Sequence, residues 1–505
     1  MTAAPQARRA SEGRPRLGAR SLAAAPLHVA RPRYDRAELT AGIVHIGIGA
    51  FHRAHQAVYV EDLLERRFGP YGIIGVSLRS PSVRDALAPQ DGLYTLIQRD
   101  GARTDFRIVG SVKQVLVAPE NPAAVLDALT ASATRLVTIT VTEKGYCLAP
   151  DGRLDLAHPE IVHDLAHPAT PRSAVGFLVE ALHRIRAAGL RPPTILSCDN
   201  LPSNGDTLRR ALRDFAARRD GELARWIEDA VAVPASMIDR IVPATTAADR
   251  AEVAEALGLE DRGAVVAEPF RQWVVESDLA PGMPALDEVG VELVTNIAPY
   301  ERMKLRLLNG CHSALAYLGQ LAGYEYVADA MGDPALRRFL DRMMRMEIAP
   351  TLAEFSPGRL ADYAAQVLAR FGNRAVKHRT WQIAMDGSQK LPQRLLGTIA
   401  DRLRAGAPLG RLALAVAAWM RFLGARDDRG MPIAISDPRA DELMAWAAPG
   451  QSDAAIVGNL LDRSRIFPPE LAASPVLRQA LTGALSSLRE RGAKEVLRMP
   501  AYGGS

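Results

Sequence analysis

Ile43-Val44-His45-Ile46-Gly47-Ile48-Gly49-Ala50-Phe51-His52-Arg53-Ala54-His55 decides the fold of this 505-residue chain. A short apolar run ends in two glycines one residue apart, and a helical pattern follows from Arg53 to Leu64. In a βαβ unit such glycines let the backbone close on a pyrophosphate, and the helix start offers free N–H groups and the positive end of its dipole. Gly47, Gly49, Ala50, Phe51, His52 and Arg53 are therefore the candidate cofactor-binding residues. The fingerprint is incomplete, because His52 stands where a third glycine is usual.

Outward from this turn, Tyr71–Ser77, Leu136–Val141 and Thr194–Cys198 read as further strands, and Ser173–Arg186 as a helix. Strand–helix alternation argues for a parallel sheet with helices on its faces. The style changes near Asn296. Helical periodicity then dominates over 300–350, 360–371, 389–424, 437–448 and 475–491. The expected fold class is α/β: a Rossmann-type dinucleotide-binding domain over 36–293, then a mainly α-helical domain over 294–505. After the second strand come Leu78-Arg79-Ser80-Pro81-Ser82, with no acid before Asp85 to take an adenosine ribose. Arg79 with two serines suits a 2′-phosphate as well. NAD is the expected cofactor, and NADP stays open.

Composition excludes several classes. The chain is 48% hydrophobic with no run of 18 apolar residues, so it is globular and no membrane span is expected. Seven Arg against Glu12 in residues 1–34 give +6, leaving the other 471 residues near −1 of the total +5. The body lacks the basic excess of a nucleic-acid binder. Residues 1–35 read as a disordered Arg/Ala-rich leader or an overlong start. Cys147, Cys198 and Cys311 form no CxxC pair, which suits a reducing, cytoplasmic setting without disulfides or a thiolate metal site. His158, His163 and His167 sit in loop-like sequence, and no metal is expected. No obligate protein partner is evident.

Of 62 basic residues only six are Lys. Arg keeps its proton at any working pH, so proton transfer by an amine falls to those few. One of them opens the spacing Lys304-x4-Asn309-x2-His312, three residues after Glu301. On an α-helix of about 100° per residue, Glu301, His312 and Asn309 fall near 60°, 80° and 140° from Lys304. Leu305 and Leu308 share the arc, which suits a partly buried pocket. A desolvated Lys can accept the hydroxyl proton as hydride leaves an alcohol, and an Asn can hydrogen-bond the developing alkoxide.

Several segments in this order resemble the polyol-specific long-chain dehydrogenase/reductase (mannitol dehydrogenase) family. They are Gly47–His55, Val141–Tyr146, Ser197–Pro202, Lys304-x4-Asn309-x2-His312 and Asp386–Lys390. The resemblance covers about residue 38 to the C-terminus. It implies a metal-free mechanism with Lys304 as general acid/base, Asn200 and Asn309 as the oxyanion-stabilising pair, and His312 on the substrate. It further implies Glu301 as a proton exit, with Asp239 and Lys390 lining the substrate site.

Family mannitol dehydrogenases typically carry an Arg eight residues before the position of Lys390, where this chain has Gln382. Glu268–Trp273 and Lys377–Arg394 instead resemble the fructuronate reductase branch, which implies interconversion of D-fructuronate and D-mannonate. A carboxylate invites a bidentate cation, and Arg271, Lys377, His378 and Arg379 are the candidates. Oxidation of a neutral polyol (D-mannitol or D-arabinitol) is the close alternative, and a nucleotide-binding protein without turnover the distant one.

Overall fold

The β-branched run after Thr40 forms the central strand of a sheet. The computed structural model describes residues 13–502. In chain order the strands are β1 (Ala41–Ile46), β2 (Gly72–Ser77), β3 (Tyr94–Asp100), β4 (Arg103–Val109), β5 (Val112–Val117), β6 (Leu136–Ile139), β7 (Thr194–Ser197), β8 (Ser236–Asp239), β9 (Val265–Ala267), β10 (Gln272–Glu276) and β11 (Glu292–Val294). Five pair in parallel in the order β5-β2-β1-β6-β7. The pleat sends Val44 and Ile46 into one apolar layer with Val137, Ile139, Phe177 and Phe215. Ile43 points to the other, with Val58, Leu63, Ile73 and Trp273. Both faces are thus covered, as a parallel sheet requires.

Helix Gln56–Arg66 lies on the Ile43 face, and helices Pro122–Thr130, Ala174–Ala187 and Asn204–Arg219 on the Val44 face. Ser173 caps its helix by accepting the Gly176 N–H at 2.9 Å. The strand order reverses between β1 and β6, and open α/β sheets bind ligands outside the carboxyl ends at such a point. Two smaller sheets, β4-β3-β9 and β11-β10-β8, complete this unit, whose boundary lies between Ala298 and Pro299. That is slightly later than the expected 293.

The expected disordered leader does not describe residues 13–35. Leu17, Ala25 and Val29 are buried in an apolar cluster with Leu93, Ile97, Ile108, Val253 and Leu257. Arg16 bridges to Glu260 and Ala30 to Arg107. Three apolar anchors, each enclosed, hold a segment whose composition alone suggests none. Residues 1–12 lie outside the described residues.

The second unit is helical. Helices Cys311–Leu321 and Gly410–Phe422 are apolar almost all round and buried along most of their length. Helix Pro475–Arg491 packs against the latter. The helical stretch 389–424 is parted around Gly406 at φ +58°. The helical stretch 300–350 turns at Gly323, at φ +79°. No helix of the described residues is long and apolar enough to cross a membrane.

Candidate active site

Gly47 follows β1 with φ +95°, and a Cβ there would stand 2.1 Å from the Thr140 carbonyl oxygen. Only glycine fits. Its N–H donates to Val76 O at 2.8 Å, and the Gly49 N–H turns back to Gly47 O at 2.6 Å. Gly49 is different. A Cβ there would meet nothing nearer than Gly47 O at 3.8 Å, so its backbone faces open space at the start of helix Ala50–Ala54. A bare backbone beside a helix start at the sheet's switch point fits a dinucleotide phosphate.

His52 fills the place of the third glycine by packing inward. Its ring stacks on His45 of β1, centroids 3.5 Å apart. Burial holds both rings well below the ordinary histidine range, His45 at about 3. Arg53 also turns inward, donating to the carbonyls of Gly49 (3.2 Å) and Gly263, where it braces the turn. Ala50 and Phe51 are partly exposed. The helix expected over 53–64 breaks at His55, whose Nε2–H donates to the Gln272 carbonyl at 2.8 Å.

The loops at the carboxyl ends of β6 and β7 are tied together by Asp199. Its carboxylate accepts the N–H groups of Val141 (3.0 Å) and Thr142 (2.9 Å) and the hydroxyl of Tyr146 (2.8 Å). These bonds draw Val141 out of the strand, which ends at Ile139 rather than at 141. Burial, opposed by those bonds, leaves the Asp199 pKa raised. Asn204 donates to the carbonyls of Ser197, Asp199 and Ser236 and holds the other flank. Asn200 stands exposed on this braced segment. At the end of β2, Ser77 donates to Ser80 O at 2.6 Å and exposed Arg79 pairs with Glu160 at 3.3 Å. Asp239 is buried at the end of β8, opposite Gln272. Arg271 pairs with Asp62 and lies over the Tyr59 ring at 4.2 Å.

In the second unit, Lys304–Gly310 is a π-helical turn between helices Ala298–Met303 and Cys311–Leu321. Such turns cluster at functional sites. The α-helical wheel is therefore corrected. With i→i+5 bonding and roughly 4.4 residues per turn, Asn309 moves from about 140° to about 50° from Lys304. Lys304 is 6% exposed, and Glu301 and Asn309 are partly exposed. Gly310 makes the close approach possible: a Cβ there would lie 2.7 Å from the Arg394 carbonyl, in a second π-helical turn, Pro392–Leu396.

His312 is 9% exposed, stacked on Phe371 and edge-on to His378 at 5.0 Å. Burial holds its pKa well down, and His378, Arg394, Arg370 and Lys390 add to this in that order. The structure thus groups His312, His378 and Lys390, and adds Arg394, Arg370 and Phe371, which the sequence reading had not singled out. Lys390 donates to Met385 O at 2.6 Å and faces Asp386 at 3.8 Å. Lys377 is exposed, while Arg379 pairs with Glu325 at 3.5 Å and lies over Tyr326.

The histidines expected in a loop belong to helix Pro159–Ala166. His158 caps it, His163 lies within it and His167 ends it. Cys147, His158 and Glu160 place ligand atoms within 4.8 Å of one another. His158 Nδ1 already accepts the Glu160 N–H, Glu160 holds Arg79, and burial pushes the Cys147 thiol up to about 12.

Residues 41–288 match the mannitol dehydrogenase Rossmann domain, and 296–489 the mannitol dehydrogenase C-terminal domain. D-mannonate oxidoreductase of Escherichia coli (strain K12) is 45% identical over 475 residues, covering 93% of this chain and 97% of that protein. Mannitol 2-dehydrogenase of Phaeosphaeria nodorum is 39% identical over 477 residues, 93% of this chain and 83% of that one. The structure of Pseudomonas fluorescens mannitol 2-dehydrogenase, a ternary complex with NAD and D-mannitol, superposes with a TM-score of 0.83 at 39% identity. It covers 96% of this chain and 99% of its own. A glycine turn at the sheet's switch point, a helical second unit with the Lys-x4-Asn-x2-His spacing, and matches along nearly the whole length agree: the chain belongs to the mannitol dehydrogenase family of oxidoreductases.

Proposed function

We propose that this protein interconverts D-fructuronate and D-mannonate, reversibly, with NAD as cofactor and hydride transfer at C5. The observation that carries the substrate choice is the cationic setting of His312, with Arg394, Arg370 and Lys390 around a neutral imidazole. The positive potential there favours a substrate bearing a carboxylate over a neutral polyol. The likeness to D-mannonate oxidoreductase along 93% of the chain supports the same choice.

NAD, when bound, supplies the hydride acceptor for the alcohol and, reduced, the donor for the ketone. Gly47 and Gly49 admit its phosphates, with Ala50 and Phe51 beside them. Lys304 takes the hydroxyl proton in the oxidising direction and returns it in the reducing one. Asn309 donates to the same oxygen as charge develops, and Asn200 is the second amide assigned to it. His312, held neutral, orients the sugar. Glu301 passes the Lys304 proton outward. Asp239, His378 and Lys390 are assigned to the sugar hydroxyls. Arg271 and Arg379 already hold carboxylate partners, which leaves them less suited to a substrate anion.

Oxidation of a neutral polyol such as D-mannitol is the second reading, supported by the fungal relative and by the Pseudomonas complex. Initial rates with D-mannonate, D-mannitol and D-arabinitol, each with NAD and NADP, separate the two. A higher kcat/KM for D-mannonate is expected, and preference for a neutral polyol defeats the carboxylate argument. NADH binding without turnover of any sugar would leave a nucleotide-binding protein.

A further inference from the structure

We infer that Arg394 is the residue that binds the substrate's carboxylate and so sets the preference for a sugar acid over a polyol. The inference rests on the sugar-acid reading above and assigns that reading to one side chain.

Arg394 lies in the π-helical turn Pro392–Leu396, which backs onto Gly310 of the turn that carries Lys304. One guanidinium nitrogen donates to Ser313 Oγ at 3.1 Å, the residue after His312. The side chain is partly buried. It forms no ion pair with a carboxylate among the described residues. A desolvated guanidinium without a counter-ion is costly, and proteins rarely keep one without use. The remaining fork of N–H donors matches a carboxylate in bidentate geometry.

The surroundings are undersatisfied in the same way. His312 Nε2, His378 Nδ1 and the Tyr317 hydroxyl are buried and lack hydrogen-bond partners among the described residues. Tyr317 interacts electrostatically with Arg394 first and then with Asp437 and Asp386, and both His378 and Arg394 interact with His312. Three buried polar atoms without hydrogen-bond partners, near a guanidinium that spends one donor on Ser313, match a ligand bearing hydroxyls and one negative charge. A neutral hexitol would occupy the hydroxyl partners and leave the guanidinium unmatched.

The test compares wild type with Arg394→Met and Arg394→Lys, on the full chain with NAD. For Arg394→Met the ratio of kcat/KM for D-mannonate to that for D-mannitol should collapse by about 100-fold, the usual cost of truncating one partner of a desolvated charge pair. The loss should fall mainly in KM. Arg394→Lys should recover part of it, since it keeps the charge without the fork. With NADH bound, D-mannonate should raise the melting temperature of wild type but not of Arg394→Met. Removing an uncompensated charge should leave the melting temperature of ligand-free Arg394→Met unchanged or higher. An unchanged ratio, an equal loss on both substrates, or failure of both variants to fold would make Arg394 structural and overturn the inference. A wild type that prefers D-mannitol would instead overturn the sugar-acid reading itself.

Discussion

The His312 imidazole lies nearly flat on the ring of Phe371, centroids 4.6 Å apart and 21° from parallel. Stacking leaves Nε2 as the open edge of the ring. Phe371 ends helix Pro357–Phe371, so one side chain links that helix to helix Cys311–Leu321, which directly follows the Lys304 turn. Phe371→Leu keeps an apolar contact but loses the flat platform. Turnover should fall by about 10-fold through a misplaced His312, a size in keeping with small shifts of a positioning group. The melting temperature should fall by only a few degrees. Steady-state kinetics beside a thermal melt checks this; a large loss of stability with kcat intact would make the contact mere packing.

Gly47 and Gly49 should respond in opposite ways to the same methyl group. Gly47→Ala forces a Cβ against the Thr140 carbonyl at positive φ. It should destabilise the protein by roughly 3 kcal/mol or more, from strain and overpacking together. Gly49→Ala meets open space, so stability should hold while NADH binding weakens at least about 10-fold through lost phosphate approach. Thermal melts and NADH fluorescence titrations read the two effects. Tight NADH binding by Gly49→Ala would show that the cofactor does not approach there.

Lys304 is the amine on which proton transfer is proposed to depend. Lys304→Ala should bind NADH nearly normally yet lose about 100- to 10,000-fold in kcat, the range for removing a general acid or base. Asn309→Ala should lose about 100-fold, as for one oxyanion donor. Near-normal turnover in Lys304→Ala would remove it from the mechanism.

Buried neutral histidines set the acid limit of stability. His45 and His55 are each held at about 3 by burial. Unfolded, they take up protons below about 6.5 while the folded rings do not, so stability falls as pH drops from 6.5 towards 3. Each histidine contributes about 1.4 kcal/mol per pH unit well inside that window. Glu61, pushed up to about 7 by burial, works in the opposite sense between about 7 and 4.5, since the folded state then binds the extra proton. His55→Gln should flatten the acid limb of a plot of unfolding free energy against pH by about one proton. Urea melts between pH 4 and 7 measure the slope, and an unaltered slope would mean His55 already titrates normally when folded.

Much of this was legible in the residues, for identifiable reasons. The β1 turn is readable because apolar β-branched residues and two glycines mark it locally. Lys304 stands out because lysines are scarce. Residues 13–35 misled, because Leu17, Ala25 and Val29 follow no period of 2 or 3.6 and are buried by partners far along the chain. The π-helical turn at 304–310 is invisible to a wheel drawn at α-helical pitch. Arg394 is one arginine among 56. Only tertiary structure shows that, unlike Arg271 and Arg379, it forms no ion pair with a carboxylate among the described residues.

The packing of residues 13–33 also bears on an outer edge of the sheet. Strand β4 is the outer strand of its three-stranded sheet, and outer strands recruit strands from other chains. Ala30 lies alongside Arg107 there and accepts the Ile108 N–H at 2.7 Å. Ala30 hems that margin with its own backbone, so trimming residues 13–33 away would strip a seam and invite fibrous or amorphous clumping while leaving the chemistry of the Lys304 turn untouched.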